Sequence, residues 1–126
     1  MEYCNNGDLH YYIKNHLSGF MNEEQCVESL IQILNGFKGL HEHMVLHRDI
    51  KLKNIMVHNS TLKIADFGLS KFGELATTVV GTPYTKAPEV FKKKTYDSRA
   101  DIWSLGIIFY QMLFKLQYPF TARTED

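Results

Sequence analysis

Cysteine is nearly absent from this sequence: Cys4 and Cys26 are the only two among 126 residues, with neither a CxxC pair nor a histidine at metal-ligand spacing. A disulfide framework is thereby excluded, and a reduced intracellular protein, expected in the cytoplasm, is the simpler reading. Net charge is absent too. The 14 lysines and arginines offset 14 aspartates and glutamates, so no overall field would draw the chain to nucleic acid or to an anionic membrane. The single basic run, Lys92-Lys93-Lys94, is short enough to be an ordinary solvated loop. The opening "MEYCNNGDLH" has acids and amides where a secretory leader would be apolar. No membrane span is expected either, because the most apolar stretch, Ile102 to Phe114, is too short and contains Ser104 and Gly106. Repeats, low-complexity tracts and linkers are missing as well. What is left is a length that suits one domain with a modest core.

Within that length the apolar pattern changes period. Residues 8 to 16 read as a short helix after the breaker pair Asn6-Gly7. Asn22 then looks like an N-cap, with Glu23 and Glu24 in the first turn and Gln25 completing a capping box. Cys26, Leu30, Ile33, Leu34, Phe37 and Leu40 follow at helical spacing to about His43. Two short apolar runs, 55–57 and 62–65, separated by His58-Asn59-Ser60-Thr61, predict a β-hairpin. Residues 69 to 86 have no period and predict a long loop. Ser98 and Asp101 are spaced as a capping box, opening a helix that reaches about Phe114 and is buried on all sides.

Chemistry gathers at the hairpin. Residues 47–54, "HRDIKLKN", crowd charge and imidazole against the apolar triplet Ile55-Met56-Val57. Asp49 and Asp66 flank the hairpin at one end, and paired strands lie about 4.8 Å apart, so folding can bring both acids to one rim with Asn54. Oxygen donors without histidine or cysteine suit a hard cation such as Mg²⁺, usually brought with phosphates. Lys51 offers a compact positive charge for phosphate oxygens. Phe67-Gly68 adds an anchor and a flexible joint. Each fragment alone is ordinary: Asp-Phe-Gly is commonly a turn, and a single asparagine usually a cap. Their order on one hairpin is not ordinary.

"HRDIKLKN" at 47–54, "DFG" at 66–68, "GTPY" at 81–84, "APE" at 87–89 and "DIWSLG" at 101–106 stand in the order of the eukaryotic protein kinase signatures. "MEYCNNGDL" at 1–9 resembles that family's hinge. The resemblance runs from hinge to helix F. It implies an α+β fold: the mainly α-helical C-lobe of a protein kinase with a small catalytic β-hairpin, truncated at both ends. Residues 1–126 would then be one partial kinase domain comprising hinge, helices D and E, catalytic loop, activation segment and helix F. The implied activity is transfer of the ATP γ-phosphate to serine or threonine hydroxyls of a protein substrate, with ATP and Mg²⁺.

By that resemblance Asp49 accepts the substrate hydroxyl proton, Lys51 steadies the γ-phosphate, and Asn54 and Asp66 hold Mg²⁺. Lys51 and Thr82 mark the serine/threonine class, in which the threonine bridges base and lysine. Met1 matches the gatekeeper, the backbones of Glu2 and Cys4 would meet adenine, Asp8 the ribose hydroxyls, and Met56 would form the floor beneath the base. His47 and Phe67 resemble members of an apolar spine. Asp101 would bond the catalytic-loop backbone from beneath, besides capping its helix. Arg48 and Lys71 match the basic partners of a phosphorylated activation-loop residue, with Thr78 as the site and Thr77 as the near alternative.

Departures from the family set the expectations for specificity. Leu52 and Lys53 replace a common proline and acid, and Gln111 replaces another acid, so an arginine-directed substrate preference is not expected. Thr85-Lys86 also departs, which alters the pocket for the residue after the target. The motifs are similar to autophagy-initiating and calmodulin-dependent kinases. A glycine-rich loop, a strand lysine, a helix-C glutamate and the arginine partner of Glu89 are not found in these 126 residues. Transfer by the 126 residues alone is therefore expected to be negligible, and a kinase-derived binding or scaffold module without catalysis is the alternative function.

Overall fold

The structure, a computed structural model, describes residues 4–92 and 95–120. Helix α1, Leu9–His16, begins where Asp8 accepts the Tyr11 N–H at 2.8 Å, meeting one of the orphan donors of the first turn. Helix α2, Glu23–Glu42, carries the full capping box. Asn22 Oδ1 accepts from Gln25 N–H at 2.8 Å, and Gln25 Oε1 accepts from Asn22 N–H at 3.0 Å. Its buried stripe is Cys26, Ser29, Ile33 and Phe37, whereas Leu34 of the apolar set is exposed. Burial raises the pKa of the Cys26 thiol, as expected of an unreactive core sulfur.

Strand β1, Val45–Leu46, is followed by a 3-10 turn at Leu52–Asn54 and by strands β2, Ile55–His58, and β3, Thr61–Ile64. The β2–β3 hairpin is antiparallel, with Ile55 opposite Ile64 and His58 opposite Thr61. The turn between them shrinks from the four residues expected to two. Asn59 and Ser60 both take left-handed φ, +46° and +63°, the combination that matches strand twist in a tight hairpin. His58 and Thr61 are thereby freed to pair with each other. Residues 5–8 run beside β2: Val57 N–H donates to Gly7 O at 2.8 Å and Asn6 N–H to Val57 O at 3.1 Å.

The predicted loop over 69–86 is only partly a loop. Strand β4, Lys71–Phe72, pairs with β1; Ala76 and Tyr96 form a bridge, and Pro83–Thr85 is a 3-10 turn. Both β4 residues are exposed, so no alternation marked the strand. Helix α3 is Pro88–Phe91, and helix α4 is Arg99–Leu113. Two expectations about α4 are corrected. Ser98 makes no side-chain cap; Asp97 accepts the Arg99 N–H instead, because Asp101 faces the other way. The helix is also buried on one side only. Leu105, Ile108 and Met112 join Leu9, Ile13, Ile33, Ile50 and Ile55 in the main core, but Ile102 is 49% exposed and Trp103 stacks on Phe120 at the surface. Among the described residues no helix is long and apolar enough to cross a membrane.

Candidate active site

The segment from His47 to Asp49 lies over the start of α4 and is held there by one acid. Asp101, 3% exposed, accepts the His47 N–H through Oδ2 at 2.9 Å and the Arg48 N–H through Oδ1 at 3.0 Å. Burial raises the Asp101 carboxyl pKa, with the two backbone bonds pulling the other way. Arg48 takes φ +68°, a conformation uncommon outside glycine and sustained only where the surroundings hold it. The His47 ring is fully buried. Its Nε2–H donates to Ala65 O at 2.9 Å, so Nδ1 is the nitrogen left to accept the Asp49 N–H at 3.3 Å. The ring meets Phe67 edge-on, with centroids 5.2 Å apart.

Asp49 is the centre of the polar cluster. Its Oδ1 accepts both the backbone N–H and the hydroxyl of Thr82, each at 2.9 Å. Its Oδ2 lies 3.0 Å from Lys51 Nζ and 3.1 Å from Asn54 Nδ2. Lys51 Nζ also donates to Thr82 Oγ1 at 2.7 Å, so the threonine hydroxyl lies between the two charged groups. Burial alone would raise the Asp49 carboxyl pKa, but the bonds from Lys51 and Thr82 outweigh it and hold it below the ordinary aspartate value.

Gly81 keeps this cluster closed. Its φ is +87°, and a Cβ there would strike the Arg48 carbonyl while lying 2.8 Å from Lys86 Nζ and 3.2 Å from Asp49 Oδ1. Gly81→Ala is therefore expected to lower stability by about 2 kcal/mol. Urea denaturation measures this, and an unchanged midpoint would mean that the Arg48 backbone yields freely.

Asn54 directs both described donor bonds at Asp49, to the carbonyl at 2.8 Å and to Oδ2, which leaves Oδ1 as its remaining oxygen. Its own carbonyl accepts the Ala65 N–H at 2.8 Å, placing Asp66 one residue beyond that link. Asp66 is exposed, takes φ +60°, and receives the Gly68 N–H at 3.3 Å. Among the described residues no three histidine, cysteine or acidic side chains converge on a metal site. One amide oxygen and one exposed carboxylate are a donor set that fits Mg²⁺, which keeps waters and phosphates as its other ligands.

The remaining expected residues are dispersed. Met1 and Glu2 lie outside the described residues, as do Lys93 and Lys94. Cys4 is half-buried. Asp8 uses one carboxylate oxygen as the α1 cap and bridges to Met56. Met56 is half-buried on the β2 face opposite the core residues Ile55 and Val57. Arg48 Nε–H donates to Leu69 O at 2.6 Å, and Lys71 Nζ to Leu75 O at 2.7 Å. Thr78 is exposed, its carbonyl accepting from Tyr96 O–H. No described hydrogen bond or ion pair joins Thr78 to Arg48 or Lys71. Gln111 is buried, its Nε2–H donating to the Leu116 carbonyl at 3.3 Å. Sequence reasoning assigned Lys86 no place beside Asp49, yet Lys86 Nζ and Asp49 Oδ1 flank the same point at Gly81, at 2.8 and 3.2 Å.

The protein kinase domain model matches residues 1–126. This chain belongs to the protein kinase family. Among its relatives, the serine/threonine-protein kinase Nek11 of Mus musculus is 46% identical over 117 residues, covering 88% of this chain and 19% of the relative. Mouse Nek3 is 43% identical over 98% of this chain and 25% of its own length, and human Nek5 is 40% identical over 95% and 18%. The kinase chain therefore spans a quarter or less of these relatives. All three are Nek kinases, a branch that the motifs did not single out.

Proposed function

We propose that this kinase chain carries the catalytic-loop wall of an ATP-dependent serine/threonine kinase that transfers the γ-phosphoryl group to a protein hydroxyl. The observation that carries the reading is the Asp49 carboxylate, ionised and fixed by Lys51, Thr82 and Asn54. A base held in one orientation is what proton acceptance from a substrate hydroxyl requires, and positioning is most of what phosphoryl transfer asks of a protein. Lys51 sets a positive charge beside that hydroxyl's path. Asn54 Oδ1 and the Asp66 carboxylate are the groups that would hold Mg²⁺, which when bound neutralises charge on the transferring phosphate. The face of Met56 beside Asp8 is the candidate floor for the adenine, and Cys4 and Glu2 its candidate edge. The test is labelled phosphate transfer from ATP to a generic serine/threonine peptide by the full-length protein. Transfer should appear with Mg²⁺ and vanish on chelation; no transfer with Mg²⁺ or Mn²⁺ would leave the reading without support.

Regulation is proposed at Thr78, on the strength of its exposure in a segment near Arg48 and Lys71. A phosphate there would recruit those cations and order the segment. Thr78→Ala should lower the activity of the full-length protein about tenfold and increase protease cleavage over residues 70–86. Equal activity and equal cleavage in the variant would dismiss the idea.

A further inference from the structure

The three cations around Asp49 are not equally occupied. Lys51 is ion-paired with Asp49, and Arg48 donates to the Leu69 carbonyl. The Lys86 ammonium makes no hydrogen bond or ion pair among the described residues, although the residue is half-buried and Nζ lies 2.8 Å from where a Gly81 Cβ would stand. Asp49 Oδ1 flanks the same point at 3.2 Å. The 3-10 turn Pro83–Thr85 brings this about: Lys86 N–H donates to Pro83 O at 3.1 Å, folding the chain back beside Thr82. The nearby acids form no ion pair with it: Asp49 is engaged by Lys51, Thr82 and Asn54, and Asp101 by two backbone amides. Loss of water from the ammonium lowers its pKa, with Arg48 and Lys51 adding to that and Asp49 opposing it.

On the kinase reading above, a peptide hydroxyl must reach Asp49. Its neighbouring residue then lies one chain step, about 3.5 Å, further along, within the sweep of the flexible four-carbon lysine stem. We infer that Lys86 is a specificity-determining residue that selects an anionic side chain, carboxylate or phosphate, next to the accepting serine or threonine. An arriving anion meets an ammonium that has lost part of its water and is ion-paired with no described residue. A basic neighbour meets three like charges.

The test uses the full-length protein and fluorescent peptides identical except for Asp, phosphoserine, Ala or Lys beside the acceptor, on either side in separate sets. Binding is followed by anisotropy, which needs no transfer, and phosphorylation is followed in parallel. Wild type should bind the Asp or phosphoserine peptide roughly tenfold more tightly than the Lys peptide. Lys86→Arg should keep that order and Lys86→Glu should reverse it. An unchanged order in Lys86→Glu, or no discrimination by wild type, overturns the inference. Should thermal melting show Lys86→Glu to be unfolded, Lys86→Gln decides: lost discrimination supports the assignment and retained discrimination overturns it. Charge-ordered binding without any transfer would sink the kinase reading alone. Transfer without charge preference would sink this inference alone.

Discussion

Asp49→Asn should reduce phosphate transfer by roughly 10²–10⁴-fold, the range lost when a positioned general base is removed. The amide cannot accept a proton, and it cannot reproduce the carboxylate's surroundings. Four donor contacts converge on the two Asp49 oxygens, so an Nδ2 group must face either Lys51 or Thr82 with a donor of its own. Stabilisation of the full-length protein by Mg-ATP should survive the change, because Asp66 is untouched and Asn54 keeps its bond to the Asp49 carbonyl. Transfer assays beside thermal shift separate the two effects; a variant that transfers at the wild-type rate would remove Asp49 from the base role. The pH dependence follows from the lowered pKa. A carboxyl with a depressed folded value contributes stability that is present above its unfolded pKa, near 3.8, and is lost as the pH falls through the folded value. Deprotonation of Asp49 therefore cannot limit the rate between pH 5 and 8.

Asp101→Ala is expected to lower stability by about 2–5 kcal/mol, because it orphans one buried and one partly buried N–H group at about 1–3 kcal/mol each. Urea unfolding would show it, and an unchanged midpoint would mean that other acceptors reach His47 and Arg48. Activity should fall as well, since the loop that carries Asp49 loses its support. The pH signature runs opposite to that of Asp49. Burial raises the Asp101 value, so its contribution is fully present below the unfolded value and is lost as the pH rises through the folded one. The stability difference between wild type and Asp101→Ala should therefore widen as the pH falls toward 3.8.

These two aspartates also show what a sequence can and cannot declare. The Asn22–Gln25 box was legible because both halves of the device lie within four residues and nothing else competes for them. Ser98 and Asp101 have the same spacing, but a partner 54 positions upstream took the acid, and no local pattern contains that information. The hairpin was legible from its apolar runs, though its register awaited the pairing of His58 with Thr61. Strand β4 was invisible, having two residues and no buried side. Asp49, Lys51, Asn54 and Thr82 were named from motifs, yet their convergence depends on the Gly81 backbone and on a turn at Pro83–Thr85. The same turn brings Lys86 Nζ beside Asp49, which no local pattern announced.

The separation of 54 residues between the His47 amide and its acceptor has a consequence in time. A ribosome adding about 5–20 residues per second releases the His47–Asp49 segment roughly 3–10 s before Asp101 exists to receive it. During that interval the first core can already gather around α1, α2 and the hairpin, while the His47 and Arg48 amides have only water as a partner. The His47–Asp49 segment is thus made early and set late, and a nascent chain paused before residue 101 would hold a hairpin whose polar rim is not yet fixed.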